Sequence, residues 1–367
     1  MIGNGFDVNV GLHTSYPEFL NYYLKQLPST GIDEVGQRYI KRIKTEIKND
    51  LLRWSDFELV YGKYMSELGK MGSDVHPLDE ELEIINDDIR EKLSAYIANE
   101  DRHSFFAENA KKQFLESILK PEIFLRDYEM NDINNKRNNI WNRSKNTIDF
   151  ITFNYTKTIE HLLDKNHQQF SGYNINEPVH VHGYYDNRMI LGVNDVSQIN
   201  NEELKKNAYA LDTLVKSRCN HVYGVGHTDK TTMLITNAQL LCTFGLSFGD
   251  TDKIWWQQIC QQFIHRNDLM VIIFWYVNDF PDFSNGGPKL QRIINEVKDM
   301  FLSKGGIGKG DLGIFRNRVY VAINKPIFNF RVDDRTPLER LTGKSAPGTL
   351  ERFVEEAEML RNKGIGK

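Results

Sequence analysis

Four short blocks carry the side chains that could do chemistry. The first, Gly3-Asn4-Gly5-Phe6-Asp7, runs on to Gly11-Leu12-His13-Thr14-Ser15-Tyr16-Pro17-Glu18-Phe19. Glycines at 3 and 5 let backbone N–H groups approach a pyrophosphate with no Cβ in the way, and Ser15, Pro17 and Glu18 have the order of a helix start. The same G-x-G also suits an ordinary tight turn. The second block is Thr152-Phe153-Asn154-Tyr155-Thr156. Asn154 offers one acceptor and one donor group, suited to a ribose hydroxyl or a water, and an Asn that simply makes a turn is the alternative. Glu160, further on, fits a surface or first-turn charge.

The third block is Val179-His180-Val181-His182-Gly183. On an extended strand, period two places both histidines on one face, and Gly183 lets the chain turn beside a ligand. Imidazole titrates near neutrality, so His182 at the strand's end is the general-base candidate. H-x-H is also a metal-pair spacing, but that use needs a third ligand, and none is near in sequence. The fourth block is Thr243-Phe244-Gly245-Leu246-Ser247-Phe248-Gly249-Asp250-Thr251-Asp252. Gly245 and Ser247 could admit and bind a phosphate or ribose. Asp250 or Asp252 could cap the following helix, or face sugar hydroxyls.

Such residues need rigid elements beneath them. Apolar runs at 148–153, 179–184, 189–193, 240–248, 269–276 and 319–323 alternate with helical patterns at 156–163, 253–264 and 290–302. Short runs alternating with helices predict βαβ units and an α/β, Rossmann-like, mostly parallel sheet covered on both faces. Ligands of such sheets bind beyond the carboxyl ends of the strands, where the four blocks fall. Residues 33–144 have a different texture: Val35, Tyr39, Ile43, Ile47, Leu51 and Trp54, then Leu82, Ile85, Ile89, Leu93 and Ile97, recur every three or four positions. This predicts a large α-helical insertion, with Ser55 and Glu58 in capping-box order, a turn at 72–77, and an Asn-rich exposed connection or frayed end at 131–139. The expected division is a core from 1–32 and 145–345, the insertion at 33–144, and a C-terminal helix and frayed tail at 346–367.

Composition removes several classes. Lys and Arg number 46 against 50 Asp and Glu, a net charge of −4, so no basic surface argues for nucleic acid. The longest apolar run, 269–277, falls far short of the roughly 20 residues of a membrane span, and no signal-peptide pattern opens the chain. A cytoplasmic location follows as an expectation. Three cysteines, Cys219, Cys242 and Cys260, with no C-x-x-C pair, supply neither a disulfide framework nor a four-thiolate zinc site.

Taken in order, GNGFD with GLHTSYPEF, WSDFE, FNYTKTIE, HVHG with ILG, and FGLSFGDTD resemble the bacteriophage abortive-infection AbiH family and, through it, the sirtuin-like NAD-binding domains. The resemblance spans residues 1 to about 256. It implies that Gly3, Asn4, Gly5, Phe6 and Asp7 form a dinucleotide loop, with Ser15, Gly183, Gly245, Ser247 and Asp252 as further NAD contacts and Asn154 and His182 as the catalytic pair. The implied activity is cleavage of NAD to nicotinamide and ADP-ribose during infection, with NAD as substrate, no metal, a phage-derived trigger and a homo-oligomeric state. The alternatives are a non-catalytic NAD or ADP-ribose sensor acting as an interaction module, and a metal-assisted hydrolase using His180 and His182. Deacetylation of the sirtuin kind is not expected, because its four-cysteine zinc module is missing. Only Met1 and Ile2 precede the glycine loop, too few for the strand that should present it, so a start further upstream, adding about six apolar residues, is expected.

Overall fold

The computed structural model describes residues 1–50, 77–102, 105–139, 141, 146–163, 169–222, 227–278 and 287–332. The WSDFE block, most of the 72–77 turn and the C-terminal segment from 346 lie outside the described residues. The helices that matter for the site are α1 (Gly5–Val10), α2 (Tyr16–Tyr23), α3 (Glu34–Asp50), α4 (Leu78–Arg102), α5 (Glu108–Leu119), α6 (Asp127–Asn139), α7 (Thr158–Leu162), α8 (Ala208–Leu214), α9 (Lys216–Val222), α10 (His227–Asn237), α11 (Lys253–His265) and α12 (Pro288–Lys304). The strands are β1 (Thr147–Ile148), β2 (Ile151–Thr152), β3 (Gln169–Phe170), β4 (Tyr173–Ile175), β5 (Val179–His180), β6 (Leu240–Phe244), β7 (Met270–Trp275) and β8 (Val319–Ile323).

The architecture is mixed α/β with parallel strands. β2 pairs with β5, Thr152 opposite His180. β6, β7 and β8 pair in that order, with Leu240 opposite Met270 and Val271 opposite Val319. One residue joins the two groups: Ile2 bridges in parallel to Thr152 on one side and Phe244 on the other. Its N–H donates to Ile151 O at 2.9 Å and its carbonyl accepts from Phe153 N at 2.9 Å, while the Phe244 N–H donates to Met1 O at 3.0 Å. The order across the sheet is therefore β5, β2, Ile2, β6, β7, β8. A smaller sheet has β4 between β1, parallel, and β3, antiparallel.

Alternation along β7 explains the two faces. Met270, Ile272 and Phe274 enter a core with Phe6 and Val10 of α1, Phe114 of α5 and Ile133 of α6. Val271 and Ile273 face the opposite core, with Trp256, Ile259 and Phe263 of α11 and Val297 and Phe301 of α12. Each such fully buried side chain contributes about 1.5–3 kcal/mol, so the long runs of β7 and β8 set the plane of the molecule. A third core holds Phe19 and Tyr23 of α2, Tyr39 and Ile43 of α3 and Leu82 to Ile97 of α4 against the segment from Met189 to Val215. The described helices of the 33–144 span thus divide between two cores, with α3 and α4 in the third and α5 and α6 on the sheet.

Four stretches differ from the sequence expectation. The run at 148–153 is not one strand but is split between β1 and β2, which pair in different sheets. Residues 189–193 form no strand: the chain passes so close to α8 that a Cβ at Gly192 would stand 2.2 Å from Leu214 O, and only Val193 bridges, to Val215. Residues 131–139 are not a frayed connection but belong to helix α6, because Ile133 is fully buried and Asp127 and Glu129 at the start and Lys136 and Arg137 at the end suit the helix dipole. β5 stops at His180, so His182 sits in a turn. Among the described residues, no helix is long and apolar enough to cross a membrane. A cavity of about 800 Å³ lies at the amino ends of β2 and β6, lined by Met1, Asp149, Ile151, Leu240, Cys242 and Trp141 among others.

Candidate functional site

All strands of the main sheet run the same way, so the loops after Ile2, β2, β5 and β6 meet at one edge. There the glycines of the first block meet the glycine of the fourth. A Cβ at Gly3 would stand 2.4 Å from Leu246 Cδ2, one at Gly5 2.7 Å from Gly245 Cα, and one at Gly245 2.4 Å from Phe6 N. Gly245 also has φ +68°, a left-handed conformation that glycine adopts at least cost. Three N–H groups of this loop are engaged internally: Gly3 donates to Phe244 O at 2.9 Å, Gly5 to Gly245 O at 3.0 Å and Phe6 to Gly3 O at 2.9 Å. The Phe6 ring is fully buried against Phe244 and Phe328. Asn4 is tied to the next loop, its Nδ2 donating to Thr14 O at 3.0 Å and its Oδ1 accepting from Thr14 Oγ1 at 2.7 Å.

Asp7 is the member of this block that carries an unsatisfied group. Its Oδ2 accepts from Thr156 Oγ1 at 2.7 Å, and Thr156 in turn accepts from Thr158 Oγ1 at 2.9 Å. Oδ1 is buried without a partner. Burial pushes the carboxyl up to about 6, against the pull of Thr156, Thr158 and Asn154. Ser15 serves α2: its Oγ accepts from Glu18 N at 3.4 Å and donates to Glu18 Oε2 at 2.5 Å, the capping box that the sequence order implies.

Asn154 and His182 stand two residues beyond the paired Thr152 and His180, on neighbouring strands. Asn154 is buried, its N–H donates to Thr152 Oγ1 at 3.1 Å, and its Oδ1 has no partner. Its carbonyl lies 3.1 Å from His180 Nδ1, which must carry the proton, since a carbonyl only accepts. His180 Nε2 lies 2.7 Å from Glu160 Oε1 on α7, so Glu160 is a partner of the site rather than a surface charge.

The two histidines, expected on one face, turn to different partners, because the strand ends between them. His182 Nε2 lies 2.7 Å from Asp252 Oδ1, and the same oxygen accepts from Lys216 Nζ at 3.0 Å. The His182 ring packs edge-on against Phe153 at 5.6 Å between centroids, and its Nδ1 is buried without a partner. Burial and the Lys216 ammonium lower the His182 pKa, with Asp252 opposing. Burial disfavours a charged Asp252, yet Lys216 and His182 hold its carboxyl well below the usual carboxylate range. Asp252 occupies the N-cap position of α11 but makes no capping bond, and Asp250 pairs with Lys304 at 2.5 Å.

The remaining expected contacts lie apart. Gly183, at φ +68°, would bring a Cβ within 2.2 Å of Arg188 O, so its freedom serves the tight turn closed by Tyr184 N–H on Asn187 O. Ser247 is exposed. His13 is an exposed loop residue with Nδ1 2.8 Å from Glu18. Sequence reasoning missed Lys216, whose only signal is a cation directly after an apolar stretch, and Asp101. From the last turn of α4, Asp101 accepts from Lys157 N at 2.9 Å and lies 3.2 Å from His161 Nε2, holding the start of α7. Two residues of the last two turns of α4 hold the first loop: Tyr96 donates to His13 O at 2.6 Å, and Glu100 accepts from His13 N at 3.0 Å.

No curated protein and no solved structure matches this chain. A model of one protein family, described as Bacteriophage abortive infection AbiH, matches residues 1–275.

Proposed function

The chain belongs to the AbiH family, and from that membership we propose that it acts in abortive infection by binding NAD at the carboxyl edge of the sheet and hydrolysing it to nicotinamide and ADP-ribose. The observation that carries this reading is the pair of buried acceptors without partners, His182 Nδ1 and Asn154 Oδ1, on neighbouring strand ends. Buried polar atoms left unpaired cost free energy, and a ligand that brings O–H groups relieves it. A ribose offers two hydroxyls, and the water that replaces nicotinamide offers a third donor.

In this chemistry the bond between the ribose anomeric carbon and nicotinamide nitrogen breaks, nicotinamide leaves with the electron pair, and water oxygen bonds to the same carbon. The water proton must go to a base. His182 suits that role because Nε2 faces a carboxylate and carries the hydrogen, leaving the Nδ1 lone pair free. Asn154 orients the ribose or the water through Oδ1. Because the N–H groups of Gly3, Gly5 and Phe6 already have internal acceptors, this reading assigns Asn154 and His182 to the ribose and not to the diphosphate.

The test is nicotinamide release from NAD by the purified protein, with Asn154→Ala and His182→Ala checked for folding by thermal melts. Release by the parent and its loss in both variants supports the reading. A second reading, a sensor that binds without turnover, rests on the last turn of α4, which grips both loops of the site. It expects NAD to raise the melting temperature with no nicotinamide formed. Neither binding nor release would overturn both.

A further inference from the structure

We propose that Lys216 is a positioning residue that takes up the charge of Asp252, so that His182 remains neutral with its open nitrogen at Nδ1. This rests on the assignment of His182 as the base, and it concerns a residue that no sequence motif marks.

Lys216 opens α9 and is 5% exposed. Its backbone is fixed by the N–H bond to Val193 O at 2.9 Å, next to the Val193–Val215 bridge. A buried ammonium is expensive unless it is paired, and Lys216 donates to Asp252 Oδ1, the same oxygen that faces His182 Nε2. The three groups form a compact unit, with Lys216 Nζ 3.4 Å from His182 Nε2. One carboxylate and one ammonium already sum to zero. Protonating His182 would add a second cation within that buried unit with no second anion to meet it.

Geometry then selects the tautomer. An ammonium has no lone pair to offer, and the carboxylate accepts, so the hydrogen of a neutral imidazole sits on Nε2 and the lone pair on Nδ1. The titratable or charged groups that bear on His182 among the described residues are Asp252, preceding α11, and Lys216, at the start of α9; the Phe153 ring packs on it from β2's end. His227 interacts instead with His180, and Lys230 and Arg188 bear on His227. Without the ammonium, Asp252 would support an imidazolium, and Nδ1 would be blocked by a proton.

The experiment follows the imidazole directly, by NMR titration of His182 in protein labelled at its histidine rings, in the parent and in Lys216→Met, Lys216→Gln and Lys216→Arg. Both neutral variants should titrate at least one pH unit higher than the parent, a tenfold change in proton affinity, and the Arg variant should stay with the parent. The acidic limb of nicotinamide release should move by the same amount. Should Lys216→Met fail to fold, the Gln and Arg pair decides. An unmoved His182 titration in a folded neutral variant, or an equal rise in the Arg variant, overturns the proposal. A parent that titrates as expected yet releases no nicotinamide would instead remove the hydrolase reading and leave this one standing.

Discussion

The two ends of the main sheet are built on opposite terms. At the carboxyl end, Asp7, Asn154, His182, Lys216 and Asp252 are all buried or held within ion pairs and hydrogen bonds, and the loops interlock through Gly3, Gly5 and Gly245. At the amino end of the same strands the interior is open, a cavity of about 800 Å³ between β2 and β6. That void is therefore not where the chemistry-bearing groups converge. Volume reports where backbone is absent, whereas unpaired buried acceptors report where a polar partner is missing, and here the two indicators separate.

The contrast breaks most readily through activity. His182→Ala or Asn154→Ala should reduce nicotinamide release by about 10²–10⁴-fold, the range for a lost general base or its orienting group, while changes lining the amino-end cavity should leave release within twofold (about a factor of two, or 0.4 kcal/mol). A comparable loss from both ends would erase the distinction.

The next largest effect is on stability. Gly245→Ala puts a methyl group 2.4 Å from Phe6 N on a backbone with φ +68°, so a loss of roughly 2–4 kcal/mol is expected in chemical denaturation. A loss below about 0.5 kcal/mol would show that the loops are not interlocked.

Asp7 sharpens the comparison through pH. Its folded-state pKa, about 6, lies above the ordinary 3.8. The folded chain binds the extra proton between those values, so the carboxyl's contribution is fully present below 3.8 and is lost as pH rises through 6. Asp7→Asn should therefore match the parent near pH 4 and exceed it above pH 6, by up to about 3 kcal/mol, with release reduced at every pH. A constant difference across that window would contradict the burial of an ionisable group there.

The smallest effect belongs to the amino end. Trp141→Phe removes the indole bond to Asp268 O at 2.9 Å and should cost about 0.5–1.5 kcal/mol by thermal melts, with nicotinamide release unchanged.

How much of this was legible in the sequence follows from what each element uses to hold itself. The apolar runs of β6, β7 and β8 and the 3.6-residue pattern of α11 and α12 announce themselves because each must bury a face. Ser15 and Glu18 announce a helix start through local bonds alone. Residues 189–193 misled because an apolar run in the third core has the composition of a strand, although only Val193 pairs. α6 was hidden by its Asn content, with Ile133 and the charged ends outweighing propensity. Of the site, Asn154, His182 and Asp7 were legible through motif position. Lys216 and Asp101 were not, since each reaches its partner across more than 30 residues of chain and no local pattern encodes such an approach.

The C-terminal end of α4 has a kinetic corollary. Tyr96, Glu100 and Asp101 fasten the loop at His13 and the start of α7 to one piece of helix. Two loops more than a hundred residues apart in sequence thus share one anchorage, so unfolding of that end of the helix frees both. In hydrogen exchange, the amides of His13 and Lys157 should be released together, with one opening free energy set by α4 rather than by either loop.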